Sequence, residues 1–102
     1  MFDFIEYQSS PGTDKTRDII VYALSTCGFC KRALAFLDTN NISYRYVYMD
    51  KMDFEVKEKI KAALRERFNE HISFPYAVID DSETLVGFIE PDWRKRVLGG
   101  EA

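Results

Sequence analysis

Short apolar runs alternate along this chain with longer stretches in which apolar residues return every three or four positions. Ile19-Ile20-Val21-Tyr22-Ala23-Leu24 is continuous, apolar and rich in β-branched residues, which predicts a strand covered on both faces. Ala33, Leu34, Phe36 and Leu37 then recur at helical spacing up to Asn40-Asn41, a pair suited to a C-terminal cap. From Ile42 to Met49 the period drops to two, with Tyr44, Tyr46 and Tyr48 on one face and Arg45, Val47 and Met49 on the other, so a strand is expected again. The tyrosine row is read as packing under a helix in preference to stacking a ligand.

A second helix carries Val56, Ile60, Ala63, Leu64 and Phe68 on one stripe, with Asp50 or Asp53 as its N-cap and lysines and glutamates filling the solvated face. Asn69 to Ser73 forms a connection. Pro75 marks the start of a strand over Tyr76-Ala77-Val78-Ile79, and the polar turn Asp80-Asp81-Ser82-Glu83 leads to a partner strand over Thr84 to Ile89, making an antiparallel hairpin. Glu90-Pro91-Asp92 opens a last helix with proline at its first position; Trp93 and Val97 share a face, Arg94, Lys95 and Arg96 suit the C-terminal end of the dipole, and Gly99-Gly100 ends it. Ahead of these, residues 2–8 form either a strand or an apolar flap, and Ser9-Ser10-Pro11-Gly12 is turn chemistry continuing as a loop to Arg17. The order strand, helix, strand, helix, strand, strand, helix gives an α/β domain, one sheet flanked by helices.

One domain spanning residues 1–102 fits this length, and 46% apolar composition can build a core without staples. A net charge of −3 with both signs interspersed offers no basic field for nucleic acid. The N-terminus has neither the cationic start nor the apolar core of a secretory signal, and no run approaches membrane-spanning length. We therefore expect a cytoplasmic protein that engages neither nucleic acid nor membrane.

Chemistry is concentrated in Leu24-Ser25-Thr26-Cys27-Gly28-Phe29-Cys30-Lys31-Arg32, which holds both cysteines at the opening of the first helix. Cysteines three apart there share a face, within reach of a disulfide. The unpaired amides of a first turn and the positive end of the helix dipole favour an anion, with Lys31 and Arg32 close in sequence. Cys27 is thus the expected nucleophile, and Cys30 the thiol that resolves the mixed disulfide. Structural zinc requires four ligands, and only His71 is available besides the cysteines. A purely structural disulfide would close a very short loop with little entropic gain. A cysteine hydrolase on Cys27 and His71 lacks an obviously placed Asn or Asp to orient the histidine, and a redox-inert binding module is the remaining alternative. Tyr22, Phe29, Phe74 and Phe88 are candidates for an apolar collar around the thiols, or else for core packing.

With Cys27-Gly28-Phe29-Cys30 after the first strand, Ser73-Phe74-Pro75 before the third and Gly87-Phe88 closing the hairpin, residues 18–98 resemble the glutaredoxins and glutaredoxin-like redoxins of the thioredoxin-fold superfamily. The resemblance implies a four-stranded mixed sheet flanked by three helices, β-α-β-α-β-β-α, to which the N-terminal segment would be an addition. It implies dithiol–disulfide oxidoreductase activity on protein or small-molecule disulfides, with Cys27 and Cys30 catalytic and Phe29, Lys31, Phe74, Pro75, Gly87 and Phe88 contacting substrate or thiol. It further implies a cis Pro75, no bound cofactor and no metal. Where glutathione-binding members place a lysine and an arginine, this chain has Leu24 and Ile72. Gly87-Phe88 and Pro91-Asp92 are closer to redoxins that serve ribonucleotide reductase and draw on a thioredoxin reductase. The electron donor is accordingly open among such a reductase, glutathione and another small thiol such as coenzyme M. The partners expected are disulfide-bearing proteins and that donor, met by a monomer. The alternative within the family is an iron–sulfur cluster carrier, with Cys27 as ligand; Cys30, standing where carriers have serine, disfavours it.

Overall fold

The continuous apolar run does form the innermost strand. In the computed structural model, which describes residues 5–99, strand β2 (Ile19–Ala23) is buried at every position. Its odd residues Ile19, Val21 and Ala23 face one cluster, and Ile20 and Tyr22 face another. A strand can bury both faces only where helices cover both. The chain accordingly continues through helix α1 (Gly28–Thr39) into strand β3 (Tyr44–Tyr48), which lies parallel to β2. Helix α2 (Phe54–Phe68) follows on the opposite face, then strands β4 (Tyr76–Ile79) and β5 (Glu83–Val86) and helix α3 (Glu90–Leu98).

A further strand, β1 (Gln8–Ser10), pairs antiparallel with β3, so the sheet has five strands in the order β1-β3-β2-β4-β5. The fold is thioredoxin-like, with one strand more than the four expected. Ser9 and Ser10, expected in a turn, belong to this edge strand: its side chains are polar, with Gln8 accepting from the Tyr46 hydroxyl and Ser10 donating to Asp38 at 3.1 Å each, so no hydrophobic alternation announces it. Ile5 and Tyr7 precede it as an apolar segment packed on the α2-side cluster. The chain then passes under Asn41, where a side chain on Gly12 would overlap the Asn41 carbonyl, and Asp14 exchanges backbone hydrogen bonds with Asn41 and Ser43 at 2.9 Å each. Phe2, Phe4 and Gly100, which figured in the readings of the two ends, lie outside the described residues.

The sheet separates two apolar layers. Phe36 and Leu37 of α1 and Trp93 and Val97 of α3 pack with Ile19, Val21, Tyr44 and Ile79 on one side. Ile60 and Leu64 of α2 pack with Tyr22, Val47, Met49 and Tyr76 on the other. The tyrosine row belongs to the first layer, with ring centroids 5.7 Å apart for Tyr44–Tyr46 and 5.5 Å for Tyr46–Tyr48. Asn40 caps α1, its amide and side chain both bonding the Phe36 carbonyl.

Several boundaries move. β3 is shorter than Ile42–Met49 because Met49–Lys51 tightens into a 3-10 turn. β5 ends at Val86, short of Ile89, because Gly87 turns the chain at φ +75°. Asp53 occupies the N-cap of α2 but makes no side-chain cap bond, Asp50 is engaged elsewhere, and Pro91 is the second residue of α3, after Glu90.

Candidate functional site

The parallel strands β2 and β3 end at the same edge of the sheet, and β4 begins and β5 ends there too, since Tyr22, Tyr76 and Val86 are ladder partners. Four connections therefore meet at one rim: Leu24–Cys27, Met49–Lys51, Phe74–Pro75 and Gly87–Ile89.

Cys27 is the N-cap of α1, with extended backbone (φ −92°, ψ 122°). At that position a side-chain oxygen normally accepts a free amide of the first turn; here the Cys27 sulfur does so, taking the Cys30 N–H at 3.2 Å. The nucleophile candidate is itself the capping group of the helix. It is partly exposed, whereas Cys30 is 1% exposed within the α1–α3 layer, and both thiols are free. Burial, the hydrogen bond to Cys27 and the charges of Cys27 and Asp50 push the Cys30 thiol up to about 12. The Leu24 amide, donating to the Cys30 sulfur at 3.5 Å, acts in the opposite sense. The two thiols thus differ in setting, one partly exposed at the helix N-cap and the other buried with its proton held on.

The backbone of Leu24 brackets the pair, because its carbonyl accepts the Cys27 N–H at 3.3 Å while its own N–H faces Cys30. Ser25 and Thr26 form the centre of that turn. The Asp50 carboxylate holds Ser25 by its amide (2.9 Å) and by its hydroxyl, and these bonds keep the Asp50 carboxyl below the usual carboxylate range. Neither Ser25 nor Asp50 was expected as a site residue from sequence, where an aspartate ahead of an amphipathic helix passes for a cap.

The other expected residues divide. Phe74–Pro75 is cis, with Pro75 buried and Phe74 half-buried between the two apolar layers. Gly87 donates its N–H to the Pro75 carbonyl at 2.8 Å and accepts the indole N–H of Trp93 at 2.9 Å, so it couples the proline loop to α3. Phe29 stands 58% exposed beside the thiols, its ring under the Arg32 guanidinium at 5.4 Å. Lys31 is exposed in the first turn, where its amide bonds the Cys27 carbonyl. Phe88, half-buried, packs its ring on Trp93 (5.3 Å) and Phe36 (6.0 Å). Tyr22 is fully buried against Tyr7 on the α2 side and forms no part of a collar. His71 is exposed, and among the described residues no group of three or more His, Cys, Asp or Glu gathers to hold a metal.

The glutaredoxin sequence profile matches residues 19–83. No curated protein sequence matches the chain. Among solved structures, a glutaredoxin from Methanosarcina mazei Go1 is similar at 31% identity and TM-score 0.77, covering 91% of this chain and 88% of its own. The methanoredoxin of Methanosarcina acetivorans is similar at 33% identity and TM-score 0.72, over 82% of this chain and 86% of its own. A glutaredoxin of Archaeoglobus fulgidus follows at 27% identity and TM-score 0.67, over 80% and 86%. A profile that takes in β2 through the start of β5, with the cysteine turn inside it, settles the relationship: the chain belongs to the glutaredoxin family.

Proposed function

We propose that this protein is a cytoplasmic, monomeric dithiol–disulfide oxidoreductase that reduces protein or small-molecule disulfides through Cys27 and Cys30. Thiol–disulfide redox chemistry is the family's; the assignment to these two side chains rests chiefly on one observation, a partly exposed sulfur that caps a helix by accepting the backbone N–H of the buried partner cysteine. The Cys27 thiolate attacks one sulfur of the substrate disulfide and expels the first product thiol, leaving a mixed disulfide. Cys30 then loses its proton, attacks the Cys27 sulfur and expels the second thiol, so the substrate gains two electrons and the protein keeps a Cys27–Cys30 disulfide. Phe29 offers an exposed apolar surface beside the attacking sulfur, and the backbone of Phe74 borders the same rim.

Glutaredoxins draw electrons from glutathione or other thiols, with no bound cofactor. Leu24 and Ile72 pack into the α2-side layer at positions where glutathione-binding members have cations, which supports a donor other than glutathione. Among the described residues no helix is long and apolar enough to cross a membrane.

The test is a disulfide-reduction assay with three donors run separately: thioredoxin reductase with NADPH, glutathione, and coenzyme M. In Cys27→Ser the hydroxyl still caps α1, so the fold persists while turnover falls to background. With no small thiol added, Cys30→Ser stops at the mixed disulfide, visible by mass as a single adduct on Cys27. Full activity in Cys27→Ser defeats the assignment.

A further inference from the structure

The buried partner thiol raises a question the nucleophile does not. Cys30 has to become an anion inside the α1–α3 layer before it can attack, against the burial that holds its proton on. A backbone donor that meets the sulfur gains strength as the charge develops, since hydrogen bonds to ionised groups are roughly twice as strong as neutral ones. The Leu24 N–H is that donor. Its aim depends on the Leu24–Cys27 turn, and the next residue along the turn, Ser25, has both its amide and its hydroxyl taken by Asp50. Register explains the meeting: Ala23 and Tyr48 are partners in the parallel ladder, so Met49-Asp50 runs beside Leu24-Ser25 as both chains leave the sheet.

We propose that Asp50 is a positioning residue for the resolving half-reaction, clamping Ser25 so that the Leu24 amide stays on the Cys30 sulfur. The inference rests on the dithiol reading above. Asp50 acts through geometry and, oppositely, through charge, because its carboxylate also holds the Cys30 proton in place. Asparagine keeps an acceptor for the Ser25 amide without the charge, whereas alanine removes both.

The reduced full-length chain is mixed with one equivalent of dithiobis-nitrobenzoate in a stopped-flow absorbance experiment. Attack by Cys27 releases the first thionitrobenzoate and leaves the second on Cys27. Cys30 gives its proton to solvent, attacks the Cys27 sulfur and releases the second, while the internal disulfide forms. Asp50→Ala is expected to slow the second release about tenfold relative to the first, the size of one net hydrogen bond. Ser25→Ala, which retains the amide contact, falls between it and wild type, and Asp50→Asn runs at least as fast as wild type. A change confined to the second phase and rescued by asparagine is not produced by general loosening. If Asp50→Ala slows both phases equally, or neither, the inference is overturned. If the wild type releases a single thionitrobenzoate and forms no internal disulfide, the dithiol reading itself falls.

Discussion

The same strands end at two rims of the sheet, and the two rims are held in different ways. At the rim away from the cysteines exposed ion pairs stand beside backbone bonds: Asp18–Arg45 at 2.9 Å, Arg67–Asp81 at 3.3 Å, and Arg17–Asp80 and Arg96–Glu83 at 3.7 Å, next to the 2.8 Å bonds that the Asp18 amide and carbonyl make with Asp80. Asp80 and Asp81 turn the hairpin there at φ +53° and +57°. At the cysteine rim most of the contacts reach backbone groups or sulfur: Cys30 amide to Cys27 sulfur, Leu24 amide to Cys30 sulfur, Gly87 amide to Pro75 carbonyl, and Trp93 indole to Gly87 carbonyl. Exposed ion pairs are screened and replaceable, and contribute on the order of 0–1 kcal/mol. A bond to the backbone fixes where the chain runs. The exposed pairs at one rim are therefore expected to tolerate substitution, and the candidate chemistry is expected to depend on the backbone and sulfur contacts at the other.

The hardest blow to this contrast is expected at Trp93. It is 1% exposed, packs on Phe88 and is the side chain that ties α3 to Gly87 and hence to the proline loop. Trp93→Ala should cost about 3–5 kcal/mol, the usual range for removing a large buried ring. Trp93→Phe fills most of the volume but strands the Gly87 carbonyl, at about 1–3 kcal/mol. Urea unfolding measures both, and KM for a disulfide substrate should rise in Trp93→Phe as the rim loosens. A phenylalanine variant as stable as wild type, with unchanged KM, would remove Gly87 from the account.

How much of this was legible beforehand follows from the kind of contact. The two apolar layers were readable, because β2 is continuous and α2 keeps its stripe, and both patterns are imposed by burial. The cysteine turn was readable because spacing alone puts two sulfurs on one helical face. β1 was not: an edge strand of Gln and Ser pairs by backbone and carries no apolar period. Asp50 was offered with Asp53 as the cap of α2, and sequence could not choose between them because the preference of Asp for such positions does not say which amide it will meet; Asp53 takes the N-cap and Asp50 meets Ser25, 25 residues away in sequence. Phe88 stayed open between collar and packing because an aromatic after glycine reads the same either way; its half-buried ring packs on Trp93.

A second test uses pH to isolate the buried thiol. Cys30 is raised from 9.0 to about 12 in the folded protein, with burial as the largest cause. Between those values the unfolded chain has released the proton and the folded chain has not, so the unfolded state binds fewer protons and stability falls as pH rises. The contribution is whole below about 9 and is lost progressively toward about 12. Denaturant midpoints of reduced wild type should therefore fall faster over this window than those of Cys30→Ser, which has no titrating thiol at that position. Parallel curves would mean that Cys30 is not held neutral, and the cysteine rim would lose its distinction between an early and a late thiol.

The smallest effect is expected at the distant rim, and its smallness is what the comparison requires. Asp18→Asn removes the charge that pairs with Arg45 but leaves the backbone of Asp18, whose amide and carbonyl bond Asp80 at 2.8 Å each. The loss should be under about 1 kcal/mol and should shrink further in high salt, because the pair is exposed and screened. Thermal melts at low and high salt measure it, alongside a disulfide-reduction assay in which the variant should match wild type. If Asp18→Asn instead lowered activity while leaving stability intact, the two rims would be coupled through β2. The site could then no longer be described by the connections at its own edge of the sheet.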